Sequence, residues 1–166
     1  MSAGVGSNTR INIAKLAAKE VLATLTNADY FGIVIFSTDA RKINTLLQRG
    51  TAVNIDAANR WLDSNVIASG RTFPDKAFTA AFDVLDSSAQ SEIGTSACRS
   101  VMLFMSDGDP TDSSGTDALN VLRSRTATAA GRDTFVFSYS LGAEASKDFP
   151  KQLACENSGV WARITN

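Results

Sequence analysis

The chain has 166 residues, 44% of them apolar and 20% charged, enough for one domain with a substantial buried core. Sixteen basic against 17 acidic residues leave a net charge of −1, which argues against a nucleic-acid partner, since phosphate binding needs a basic excess or stripe. The sequence contains no histidine, which excludes Ser-His and Cys-His nucleophile pairs and imidazole-built zinc sites; any resident cation must be held by oxygen, which selects magnesium, calcium or manganese.

In chain order, the first nine residues are small and polar, and Met1 with the six residues after it does not read as a signal peptide. From Arg10, residues Ala14, Ala17, Ala18, Val21, Leu22 and Leu25 fall on one face of a helix, with Thr9 as its N-cap and Asn27–Asp29 as its stop. Tyr30–Phe36 is a continuous apolar run, the pattern of a strand buried on both faces, and a weaker edge strand is expected near Ile43–Leu46. Asn54–Asn65 and a segment opening near Pro74, with Phe78, Ala81, Phe82 and Leu85 inward, read as helices. Ser100–Ser106 is a second buried strand, Thr116–Ala129 a helix, Thr134–Leu141 a third strand, Ser146–Glu156 a short helix and Gly159–Ile164 a last strand. Buried strands alternating with helices predict one α/β domain over residues 1–166. It is a three-layer, Rossmann-like sandwich whose mostly parallel, doubly wound sheet carries helices on both faces. The apolar runs are far shorter than the roughly 20 residues of a membrane helix, so no membrane insertion is expected.

Ligands of such sheets bind at the carboxyl ends of the strands, which directs attention to the loops after Phe36, Met105 and Leu141. Ser106–Asp112 places three carboxylates (Asp107, Asp109, Asp112) and two hydroxyls directly after a buried strand. Such a group repels itself without a cation or good solvation. It reads as an oxygen-rich metal site or as a polar turn before a helix. In Ser69–Asp75, Thr72 reads as a hydroxyl ligand or as a helix cap. A magnesium-dependent hydrolase or phosphotransferase using Asp107 or Asp109 would also need a second acid/base group and a phosphate cradle, and the sequence offers neither. Cys98 and Cys155 read either as two buried thiols or as a disulfide closing a long loop, which would place the chain in an oxidising compartment.

The sequence resembles a von Willebrand factor type A domain over nearly its whole length. The resemblance is carried by Arg10–Leu25, Tyr30–Phe36, Ser69–Asp75 followed by Lys76–Leu85, and Val101–Asp109 with its D-G motif. Ile11–Lys15, Asn27–Phe36, Ala97–Cys98 and Leu153–Gly159 most resemble the domain of calcium-channel alpha-2/delta-like extracellular proteins. The resemblance implies a metal-ion-dependent adhesion site (MIDAS), with Thr72 and Asp107 as metal ligands and Asp109 and Asp112 at its second shell or rim. It further implies a non-enzymatic, metal-dependent protein-binding module, part of a longer extracellular or membrane-anchored protein, whose cation bridges to a carboxylate on a protein partner. The family's D-x-S-x-S loop and the strand before it have no counterpart here. The chain therefore reads as N-terminally truncated relative to the family, its divalent-cation binding is expected to be weak or absent, and a structural module with an incomplete metal site is the alternative.

Overall fold

The computed structural model describes residues 6–67, 70–91, 95, 99–127, 134–143 and 145–164. Helix α1 spans Gly6–Thr24, so Thr9 lies inside its first turn and is not the cap. The chain then turns through Asp29, whose carboxylate accepts from the Thr26 backbone N–H and hydroxyl, both at 2.8 Å. Those two bonds, the backbone one first, hold the Asp29 carboxyl below its ordinary range.

The expected strand over Tyr30–Phe36 is instead two short strands, β1 (Tyr30–Phe31) and β2 (Val34–Phe36), interrupted at Gly32 and Ile33. They are half-buried and pair antiparallel: β2 with β3 (Ala40–Lys42), and β1 with β4 (Gln48–Arg49). The edge strand expected near Ile43–Leu46 falls in the connection between β3 and β4. The apolar run misleads because a short turn at Ser37–Asp39 folds the chain straight back. An antiparallel neighbour needs only such a turn, whereas a parallel one needs a long crossover.

Helix α2 spans Ala52–Asn65 and is capped by the Thr51 hydroxyl, which accepts from the Asn54 N–H. Helix α3 spans Pro74–Ala89 with proline at its start, where the missing N–H costs nothing. Then follow β5 (Ser100–Ser106), α4 (Ser114–Thr126), β6 (Thr134–Leu141), α5 (Asp148–Glu156) and β7 (Trp161–Ile164). β5, β6 and β7 form a parallel sheet in that order, with Met102 beside Val136 and Ser140 beside Arg163. By paired length the parallel strands predominate over the two short antiparallel pairs, and the α/β sandwich expected from the sequence is present.

Two apolar cores hold the layers. Phe78 and Phe82 of α3, Phe104 of β5, Leu119 and Leu122 of α4, Val136 of β6 and Leu153 of α5 form the first. Leu22 of α1, Phe31 of β1, and Ala58 and Leu62 of α2 form the second, with Ile33 and Ile43 against them. Full burial of a side chain such as Phe82 or Leu122 stabilises the fold by about 1.5–3 kcal/mol. Cys155 is an exposed, free thiol in the last turn of α5, which corrects its reading as a buried thiol. Its helix turns Leu153 and Ala154 inward and leaves Cys155 outward. Cys98 lies outside the described residues.

The α3 and α4 layers are also tied by Arg125, which donates to Asp86 at 2.9 Å and to Asp83, and lies 6.0 Å from the centre of the Phe82 ring. These carboxylates are partly exposed, so each pair is modest, but two of them together with the stem's packing add up. Arg125→Ala is expected to lower unfolding stability by about 1–2 kcal/mol in urea titrations. The loss should shrink in 1 M salt, where the ion pairs already contribute less.

Candidate functional site

β5 delivers Ser106 to the carboxyl end of the sheet, where its hydroxyl donates to the Gly108 carbonyl at 3.2 Å and turns the chain sharply. Asp107 emerges from that turn with its side chain about half exposed. The loop before α3 docks onto the loop after β5. The Thr111 N–H donates to the Thr72 carbonyl at 2.8 Å, the Thr72 N–H donates to the Thr111 hydroxyl at 3.1 Å, and the Ser114 hydroxyl reaches the Thr72 carbonyl at 3.2 Å. The same loop is held from its other side by the turn after β2. There the Arg71 N–H donates to the Thr38 hydroxyl and the Phe73 N–H to the Ser37 carbonyl, both at 3.3 Å. Gly70 permits this contact: its φ is +83°, and a Cβ there would stand 2.6 Å from the Thr38 hydroxyl oxygen.

Three segments distant in sequence therefore meet at one end of the sheet. Thr72 is not the α3 cap, because that position falls on Phe73, which makes no side-chain capping bond. Instead the Thr72 hydroxyl faces the Asp107 turn, 3.4 Å from where a Cβ on Gly108 would lie. Asp109 is exposed beyond it. Asp112 sits in the left-handed region, with φ 55°, and pairs with Arg71 at 3.6 Å on the solvent side. Asp75, in the first turn of α3, has a buried carboxylate oxygen with no hydrogen-bond partner among the described residues.

The structure adds a residue that the sequence did not single out. Arg10 of α1 places its guanidinium 3.6 Å from the Asp107 carboxylate, with its stem lying over Gly142 just beyond β6. Nothing local marks it, because the contact joins the start of the chain to a loop far along it.

The donor chemistry fits a hard cation. Thr72 and Asp107 carry a hydroxyl and a carboxylate, the ligand types such ions take, on loops that dock onto each other at this end of the sheet. The number falls short of the six or so oxygens required: among the described residues no three acidic, cysteine or histidine side chains converge.

Residues 2–165 match the von Willebrand factor type A domain. The chain belongs to that family. Human inter-alpha-trypsin inhibitor heavy chain H4 is 29% identical over 97% of this chain and 17% of its own length. Human voltage-dependent calcium channel subunit alpha-2/delta-3 is 27% identical over 94% of this chain and 14% of its own. This type A domain thus spans about a sixth of the curated relatives it matches. Among solved structures, proximal thread matrix protein 1 from the mussel byssus, described with a zinc-occupied MIDAS motif, superposes with a TM-score of 0.65 at 13% identity, over 96% of this chain and 39% of that one. That likeness shows the fold. Among the described residues of the domain, no helix is long and apolar enough to cross a membrane.

Proposed function

We propose that this type A domain is a metal-dependent protein-binding module of a larger extracellular or cell-surface protein. In this reading Thr72 and Asp107 are its own cation ligands, and Asp109 and Asp112 form the rim. The observation that carries the reading is the docking of the Thr72 loop onto the Asp107 turn, which gathers hard oxygen donors at the strand ends. The cation would leave a position open to a carboxylate of the partner, since a hard ion seeks an anionic oxygen. The inhibitor heavy chain and channel subunit among its relatives favour a binding module over a hydrolase or phosphotransferase using Asp107 or Asp109.

The remaining ligands belong, in this proposal, to one further strand supplied from outside these residues and ending in an Asp and two Ser. The sheet supports it. β2 and β5 are not hydrogen-bonded to each other, yet Phe36 and Phe104 from these two strands stack at 5.5 Å. Among the described residues β5 is paired only on its β6 side, and Val101 and Leu103 on it are 53% and 37% exposed. Unpaired strand edges that share a core are template positions for another strand.

Calorimetry with magnesium or manganese tests the site. The 166-residue chain is expected to bind weakly or not at all, and a polypeptide extended by the additional strand more tightly. In the extended form Asp107→Ala should lower affinity at least about tenfold, and Asp112→Ala less. Tight binding by the present chain that survives Asp107→Ala would place the cation elsewhere. Chelation should also release an acidic partner, and a partner that stays bound in excess chelator would favour the structural-module reading.

A further inference from the structure

We propose that Arg10 is the internal counter-ion of the strand-end site: its guanidinium and a divalent cation exchange on Asp107, so that Arg10 sets how readily the site loads. This inference rests on the cation reading of Asp107 and Thr72 above.

Arg10 is placed by a rigid element, α1, which spans Gly6–Thr24. Its Nη1 stands 3.6 Å from Asp107 Oδ2. Its Nε lies 3.0 Å from where a Cβ on Gly142 would be, so the side chain crosses the end of β6 in a position that only a residue without a side chain leaves open. Gly142 has φ +106° and is pinned by its N–H to the Ile164 carbonyl at 2.8 Å. The arginine thus bridges the loops after β5 and β6, in the crevice where the domain's ligand belongs.

A guanidinium and a dication on one carboxylate repel each other. At about 4 Å two like unit charges repel appreciably even in bulk water, and a dication doubles that repulsion. Asp107 is half exposed and its bond to Arg10 is long, so Arg10 is a cheap occupant to displace. Asp107 then keeps a positive neighbour in both states, and the loop after β5 is not left with a bare carboxylate when the cation is absent. Partner binding through a cation would require Arg10 to leave first, which lowers the apparent affinity for the ion.

Manganese binding to the 166-residue chain, followed by NMR, tests this, because paramagnetic broadening reads even weak, localised occupancy. Amides around Thr72, Gly108 and Gly142 should broaden first. The manganese concentration for half-broadening should fall about three- to tenfold in Arg10→Gln, which keeps the stem over Gly142, and stay within about twofold of wild type in Arg10→Lys, which keeps the charge. Arg71→Gln removes the same charge from the Asp112 pair and should change it by less than about twofold. With diamagnetic magnesium, the Arg10 Nε–H resonance of the wild type should shift along the same titration as those amides. Broadening centred on Asp107 that is equal in wild type and Arg10→Gln, or an Arg71→Gln effect as large as that of Arg10→Gln, would overturn the exchange and leave the cation reading standing. Lack of localised broadening in every variant would overturn the exchange, and calorimetry on the extended polypeptide then decides the cation reading.

Discussion

Phe104→Ala is expected to lower unfolding stability by about 3–5 kcal/mol, the usual cost of emptying a large aromatic site in a packed core. Phe104 is 5% exposed. Its ring stacks on Phe36 at 5.5 Å and on Phe78 at 5.3 Å, and meets the edge of Phe149 at 6.0 Å. Three different elements therefore close on this one ring: the β2 hairpin, α3 and α5. The contact with Phe36 matters most, because β2 and β5 share no backbone hydrogen bonds and side-chain packing joins them. Truncation should thus loosen the hairpin from the parallel sheet as well as weaken the whole. Urea unfolding measures the first effect. The second is read from Trp61, on the hairpin side, and Trp161, on β7, each kept as the sole tryptophan. Their midpoints should coincide in wild type and separate in Phe104→Ala. Val101→Ala on the same strand, at a 53% exposed position, should cost no more than about 0.5 kcal/mol. A Phe104→Ala loss as small as that would mean that the aromatic cluster does not couple the two parts.

Gly159→Ala should be nearly as damaging, for the opposite reason. A Cβ at this position would stand 1.8 Å from the Val136 carbonyl oxygen and 2.5 Å from its carbon. Both are backbone atoms of β6, so no rotamer change relieves the overlap and the strand itself must move. The segment is closely tied: Gly159 N–H donates to the Ala154 carbonyl at 3.0 Å, and Val136 N–H to the Asn157 carbonyl at 3.4 Å. The expected outcome is a loss of about 3 kcal/mol or more, with faster amide exchange across β7 than across β5. Gly32→Ala is the contrast. Its nearest neighbour would be the tip of Leu47 at 3.2 Å, a flexible side chain that can yield, and the cost should stay below about 1 kcal/mol. Equal stability of the two variants would show that the approach of Gly159 to β6 is not constraining.

Much of this molecule is legible in its sequence because the signals are local. The β-branched and apolar runs at Ser100–Ser106 and Thr134–Leu141 coincide with β5 and β6; β6 is mostly buried, whereas β5, expected to be a buried strand, leaves Val101 and Leu103 exposed because no strand among the described residues covers its other side. The helical periodicities of α2, α3 and α4 place those helices to within a few residues, and they mis-set the ends because capping depends on single side chains: Phe73 occupies the α3 cap that Thr72 was one candidate to fill. The oxygen-rich loop after β5 and the threonine loop before α3 are likewise visible as compositions.

The tertiary structure alone decides what those local features do. Tyr30–Phe36 carries the pattern of a buried strand, yet its pairing depends on which strand lies beside it, and here the neighbour is the chain folding back through β3 and β4. Whether Thr72 caps a helix or turns to the loop after β5 depends on hydrogen bonds with Thr111 and Ser114, which periodicity does not register. Arg10 looks in the sequence like any solvent-facing residue of α1, and the fold sets it beside Asp107 and over Gly142. Composition and periodicity report what each segment can bury on its own. The charge and ligand environment of Asp107 is a sum over loops brought together only by packing, so it is determined when the cores around Phe104 and Leu22 close.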